Sequence, residues 1–129
     1  MNIHLVNGLP IVSLPLSYKN KSTLLNNVLL DTGCSTTIFD TDLVEPIGLD
    51  IDFINGKSVR MYGVGGSSEL CYQQIVSDLS IGSNLLKEFT IQLGLTKDPY
   101  GFDAILGVDF LYKYGLKIDF EKLVISYKV

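Results

Sequence analysis

One acidic side chain is conspicuous for where the sequence puts it. The run Val28-Leu29-Leu30-Asp31-Thr32-Gly33-Cys34-Ser35 sets a carboxylate at the end of an apolar strand, with a turn-permitting glycine two residues later. An acid among apolar neighbours is unfavourable unless hydrogen bonds hold it, and such positions are where proteins keep working acid–base groups. A carboxylate held there could take a proton from water or give one to a substrate. An aspartate that merely caps its own strand-to-turn loop has the same local signature. The motif alone leaves both readings open.

Other chemistries have less to work with. The cysteines, Cys34 and Cys71, and the single His4 give no zinc spacing. One histidine near the start leaves no Ser-His-Asp or Cys-His set to assemble. A Cys34–Cys71 disulfide is open, and two free thiols are the simpler expectation. Fourteen acidic against ten basic residues give a net charge of −4, and no basic stripe could neutralise phosphates, so nucleic acid is not an expected partner. No run approaches the roughly 18 apolar residues of a membrane helix, so no membrane partner is expected either. Met1-Asn2-Ile3-His4 lacks a basic leader, and no small-residue cleavage site follows Leu16. A soluble, cytoplasmic protein is the expectation. The 129 residues fit one domain, 1–129, and 47% hydrophobic content leaves apolar surface to spare for a partner.

The elements that must position Asp31 read as short β runs between turns. Leu9 to Tyr18 and Thr23 to Leu30 are strands, the first with Pro10 and Pro15 pointing to an edge or bulges. Ser35 to Phe39 is a third, and Asp40 to Ile47 a helical turn with Thr41 as candidate cap and Pro46 as its end. Ile51 to Ile54 and Ser58 to Tyr62 flank Asn55-Gly56, a strong hairpin signal. Glu69 to Ile81 reads as one long strand and Leu85 to Leu93 as another, with Thr96 to Gly101 as loop. Phe102 to Leu106 is a short buried strand, Val108 to Tyr114 the one helix, and Leu116 to Phe120 with Leu123 to Tyr127 a last hairpin. The expected fold is a single all-β, mostly antiparallel domain with one short C-terminal helix.

Three motifs in this order resemble the retropepsin family, the homodimeric aspartic proteases of retroviruses and their cellular relatives. They are the apolar strand into Asp31-Thr32-Gly33, the glycine-rich Met61-Tyr62-Gly63-Val64-Gly65-Gly66, and Ala104-Ile105-Leu106-Gly107 before a helix. The resemblance runs from about Leu9 to Gly115. It implies a retropepsin-like closed β-barrel that works as a homodimer on polypeptide substrate, with no metal or cofactor. Asp31 would be the catalytic carboxylate, Thr32 would reach across the dimer axis, and Gly33 would permit close approach of the two loops. Met61 to Gly66 would be a flap over bound peptide, with Val64 at its tip and Gly63, Gly65 and Gly66 giving it freedom to open. Ile105, Leu106 and Gly107 would form the floor under the catalytic loop.

The sequence departs from the family at several places. Cys34 stands where pepsin-like halves carry Ser and retroviral ones Ala; a thiol is a weak donor, so Cys34→Ser is expected to move the acid limb of activity downward. The Asp–Arg ion pair of retroviral enzymes falls on Ser35 and Val108, and Asp109 is expected to cap the helix instead. Leu116 to Val129 is longer than the viral terminal strand. No second carboxylate is followed by Thr/Ser-Gly, so two roles for one Asp31 require a second copy on a two-fold axis. A non-catalytic peptidase-fold module that binds peptides or dimerises is the alternative. A small barrel for an apolar ligand would leave Asp31-Thr32-Gly33 without a purpose.

Overall fold

Alternation decides the longest strands. In the computed structural model, which describes residues 1–62, 65–66 and 68–126, Val12, Leu14 and Leu16 point into the core while Ser13 and Pro15 face out. The described residues form β1 (His4–Val6), β2 (Leu9–Tyr18), β3 (Lys21–Leu30), β4 (Ile38–Asp40), β5 (Lys57–Tyr62) and β6 (Ser68–Val76). They continue as β7 (Leu79–Ile81), β8 (Asn84–Leu86), β9 (Phe89–Gly94), β10 (Ala104–Leu106), β11 (Lys117–Asp119) and β12 (Val124–Ser126). Three short helices, α1 (Thr41–Val44), α2 (Lys97–Tyr100) and α3 (Val108–Lys113), and a 3-10 turn at Glu45–Ile47 complete the chain. The expected helical turn at Asp40 to Ile47 is α1 with the 3-10 turn, whereas the four-residue α2 lies where a loop was expected.

Ten strands make one sheet, ordered β5-β6-β9-β4-β10-β3-β2-β7-β8 with β1 along β2, and β11 and β12 pair separately. The sheet is open. No ladder joins its end strands β5 and β8 among the described residues, so the expected closed barrel is not formed. Most pairs are antiparallel, but β10 runs parallel to β3 and β4 parallel to β9. These two parallel pairs bracket the segment that carries Asp31. Inside the curved sheet, Leu14 and Leu16 pack in one core with Leu79 and Ile81 of β7, Ile91 and Leu93 of β9, and Phe110 of α3.

The prolines of β2 show how a central strand tolerates them. Pro10 pairs with Leu5 of β1 just before the β3 ladder starts at Ile11. Pro15 pairs with Leu24 of β3, in the gap where β1 has ended and β7 begins only at Leu16. Each sits just outside one of the two flanking ladders, and Pro15 contributes there through its carbonyl, which accepts the Gly82 N–H at 2.8 Å, so that the lost N–H is not needed. The strand is central rather than an edge, and the expected bulge lies between Val12 and Leu14.

Other boundaries shift for local reasons. Asn55-Gly56 does not turn a hairpin: Asp52 Oδ1 accepts the N–H groups of Ile54 and Asn55, which coils 51–56 before β5 starts. Asp78 (φ 63°) breaks the expected long strand into β6 and β7, and Glu88 (φ 50°) separates β8 from β9. Asp40, not Thr41, caps α1 by accepting the Asp42 N–H at 3.1 Å, and Pro46 lies within the 3-10 turn that Gly48 ends. The final hairpin is β11–β12, with Tyr127 outside the described residues. Among the described residues no helix is long and apolar enough to cross a membrane.

Candidate active site

Strand geometry delivers Asp31 to the surface of the sheet. Val28 and Leu30 of β3 are buried in the core, so Leu29 and Asp31, two residues apart, share the opposite face. The neighbouring β10 behaves likewise: Ala104 and Leu106 are buried, while Ile105, paired with Leu29, is half-buried on the same side as Asp31. The Asp31 N–H donates to Leu106 O at 3.0 Å, extending the parallel ladder by one residue and fixing where the strand ends. The chain then turns tightly, with Cys34 N–H donating to Asp31 O at 3.1 Å.

Within that turn the Gly33 N–H donates to Asp31 Oδ1 at 2.9 Å. Gly33 does not have a positive φ, so its glycine answers to space rather than to backbone conformation. A Cβ there would come within 3.2 Å of Asp31 Oδ1. Thr32 is exposed at the crest of the turn. The Cys34 thiol donates to Thr36 O at 3.0 Å and not to the Asp31 carboxylate. Burial pushes that thiol up; a backbone interaction at Thr36 partly opposes this, and the charges of Asp31 and Asp109 add to it.

A second set of contacts clamps the far side of the loop. Thr37, fully buried, donates its N–H to Asp109 Oδ2 at 3.0 Å and its hydroxyl to Asp109 Oδ1 at 2.7 Å. The Gly107 N–H donates to Thr37 Oγ1 at 3.1 Å, and the Val108 N–H to Cys34 O at 2.8 Å. Gly107 has no room for a side chain, since a Cβ would lie 2.7 Å from Cys34 O and 2.9 Å from the Thr36 carbonyl carbon. The N-cap of α3 is Gly107, so Asp109 is not the expected cap. Its carboxylate reaches across to Thr37 instead and ties the start of α3 to the loop. The sequence reading missed this clasp; its signal was a threonine entering the apolar run Ile38-Phe39.

Opposite the loop stands the β5–β6 hairpin, paired in register from Lys57↔Gln73 to Tyr62↔Ser68. Gly65 and Gly66 lie at its tip with φ of +93° and +83°, and a Cβ on either would meet no atom of the described residues within 4 Å. Gly63 and Val64 lie outside the described residues. Between loop and hairpin runs a cleft of about 580 Å³. Asp31, Gly33, Cys34 and Ile105 line its floor, and Met61 and Tyr62 line the hairpin side. Leu95, Thr96, Tyr100 and Phe102 form a side wall. The structure thus brings Asp31, Gly33, Cys34, Met61, Tyr62 and Ile105 to one cavity. Leu106 and Gly107 are buried beneath it and Thr32 does not line it.

Two further cleft groups escaped the sequence reading. Glu69, opposite Met61 on β6, accepts a hydrogen bond from the Tyr100 hydroxyl of α2. That bond, with a lesser contribution from burial, pushes the Tyr100 phenol up. Cys71, two residues along the same face of β6, is also in the cleft, and both thiols are free.

The model of the aspartyl protease family matches residues 14–110. The chain belongs to that family. A search of curated proteins returns no match to it. Solved structures of the same fold include a retropepsin-like aspartic protease from Rickettsia conorii, 19% identical, TM-score 0.66, covering 98% of this chain and 87% of that one. The retroviral protease-like domain of Ddi1 from Leishmania major is 16% identical, TM-score 0.61, over 92% and 88% of the two chains. The EIAV protease in complex with the inhibitor HBY-793 is 22% identical, TM-score 0.57, over 90% and 97%. This aspartyl protease family member is therefore retropepsin-like in fold.

Proposed function

We propose that the chain, residues 1–129 as one domain, is an aspartic endopeptidase active as a symmetric homodimer. The observation that carries this reading is Asp31 on the floor of a peptide-sized cleft, at the end of a strand and in a loop anchored from two sides. Two Asp31 carboxylates facing each other across the dimer axis would hold one proton between them, because like charges at short range cannot both ionise. The ionised member takes a proton from water as its oxygen attacks the scissile carbonyl carbon. The protonated member gives its proton to the carbonyl oxygen. Collapse of the tetrahedral intermediate breaks the C–N bond as a proton passes to the leaving amine.

Within this reading Thr32 and Gly33 bring the two loops together, and the hairpin carrying Met61, Tyr62, Gly65 and Gly66 closes over an extended peptide. Ile105, Leu106 and Gly107 hold the loop from below. The test is Asp31→Asn, which keeps the side-chain shape and removes the acid–base pair. Its expected result is a folded protein whose peptide hydrolysis falls by at least about a hundredfold. Hydrolysis within tenfold of the unsubstituted chain would sink the proposal and leave a peptide-binding module in its place.

A further inference from the structure

The cleft is chemically lopsided. Its walls are largely apolar, with Leu29, Ile38, Leu95, Phe102 and Ile105 among the residues that line it. Among the described lining residues the only charged side chains are two carboxylates, Asp31 and Glu69, with no lysine or arginine to offset them. The nearby cations are committed elsewhere. Arg60 is on the opposite face of β5 and donates to Ser68, and Lys97 is paired with Asp103 at 3.0 Å.

Glu69 is also the carboxylate that the proposed chemistry does not use. It is on the face of β6 that carries Cys71, in register with Met61. The Tyr100 hydroxyl engages one of its oxygens, Oε1, which holds the side chain at the cleft wall. A carboxylate accepts through two oxygens and about four lone-pair sites, so one phenol bond leaves it able to take a cation. A lysine or arginine side chain suits this setting: its stem covers apolar wall while its charged head reaches the acid.

We infer that Glu69, positioned by Tyr100, makes this cleft select a basic side chain in its peptide substrate. The inference rests on the peptidase reading and adds the substrate class to it. Selection comes from a partly exposed ion pair, so its size is modest, about fivefold over an uncharged residue of the same length.

The test uses apolar peptides carrying one lysine, norleucine or glutamate at each of four positions on either side of the bond cut. Cleavage by the full chain should favour lysine over norleucine about fivefold at one position and disfavour glutamate there. Glu69→Gln should bring that ratio to about one, and Glu69→Lys should reverse it towards glutamate. The same peptides bound to Asp31→Asn, read by fluorescence anisotropy, report the subsite without turnover. There lysine should again bind more tightly than norleucine, and Asp31→Asn/Glu69→Gln should abolish the difference. A lysine-to-norleucine ratio unchanged by Glu69→Gln, even with every rate lowered, would mean that Glu69 serves only as a latch to Tyr100 and would overturn the inference. A binding preference without any cleavage would overturn the peptidase reading and keep the subsite. No binding of any peptide would overturn both.

Discussion

The two sides of the cleft are built on opposite principles. The loop from Asp31 to Thr37 is tied by backbone bonds to β10 and α3, by the Thr37–Asp109 clasp, and by a glycine so crowded that no side chain fits. The β5–β6 hairpin stands at the sheet edge, held at its root by the β6–β9 ladder, along its length by its own ladder, and near its tip by the Glu69–Tyr100 bond. Its tip glycines have no close neighbour among the described residues. On the peptidase reading, a group that must present a carboxylate at fixed geometry is over-determined, whereas a cover that must admit substrate has a tip with few restraints. Glycine has contrary uses in the two places: at 107 it removes bulk, and at 65 and 66 it supplies positive φ.

That contrast can be broken at the rigid side first. Gly107→Ala forces a methyl against the Cys34 and Thr36 backbone and should lower unfolding free energy by about 3 kcal/mol, with peptide cleavage lost in parallel. Denaturant melts with a midpoint unchanged would show that the loop can yield. Asp109→Ala leaves the buried Thr37 N–H without its acceptor and should lower stability by about 2–3 kcal/mol. Thr37→Val in the Asp109→Ala background should add less than it does alone, because the two share one network.

The hairpin side should respond differently. Gly65→Val places a branched residue at φ +93°, a strain of about 1–2 kcal/mol. Turnover should fall by more than that stability loss accounts for, and equal losses in kcat and melting would count against a flap role. Smaller still are the thiol effects. Burial raises both Cys34 and Cys71, so their neutral forms are favoured in the folded state. That contribution is complete below the unfolded thiol range and is lost as pH rises through the folded values, so alkaline pH should weaken the fold. Alkylation of the folded chain at neutral pH should be slower than that of the unfolded chain, and equal rates would contradict the burial. The smallest effect expected is for Cys34→Ser. Since the thiol serves Thr36 O, a hydroxyl would inherit that bond and leave the acid limb of peptide cleavage in place, contrary to the sequence-based expectation. A limb moved downward would mean that the hydroxyl turns to Asp31.

Much of the loop was legible because it is local. Asp31-Thr32-Gly33, the strand before it and the Ile105-Leu106-Gly107 floor are contiguous motifs, and β2 was bounded correctly as a β-rich run between turns. What escaped depends on partners remote in sequence. Asp109 read as a helix cap because caps are near-neighbour effects, and a threonine ahead of Ile38-Phe39 signals a buried polar group without saying which carboxylate meets it. Glu69 and Tyr100 meet only because α2 forms where the polar stretch from Thr96 to Gly101 looked like loop. Asn55-Gly56 misled for the same reason in reverse. A strong local turn signal lost to Asp52, which takes two of the nearby N–H groups and is itself held through its backbone by Gln74 of β6.

The place of β10 bears on the order of assembly. It is inserted between β3 and β4, which flank the Asp31 turn, yet it comes from far downstream in the chain. A nascent polypeptide that has not yet supplied residues 104–109 has neither the acceptor for the Asp31 amide nor the carboxylate for Thr37. Long-range strand insertion of this kind is slow to nucleate and completes late. The Asp31 and Thr37 amides should therefore gain hydrogen-exchange protection among the last during refolding, and early protection at these two positions would refute this order. On the peptidase reading proposed above, a chain built so would present Asp31 in its finished setting only when nearly all of it has folded, and partly made copies would be kept from acting on their own unfolded neighbours.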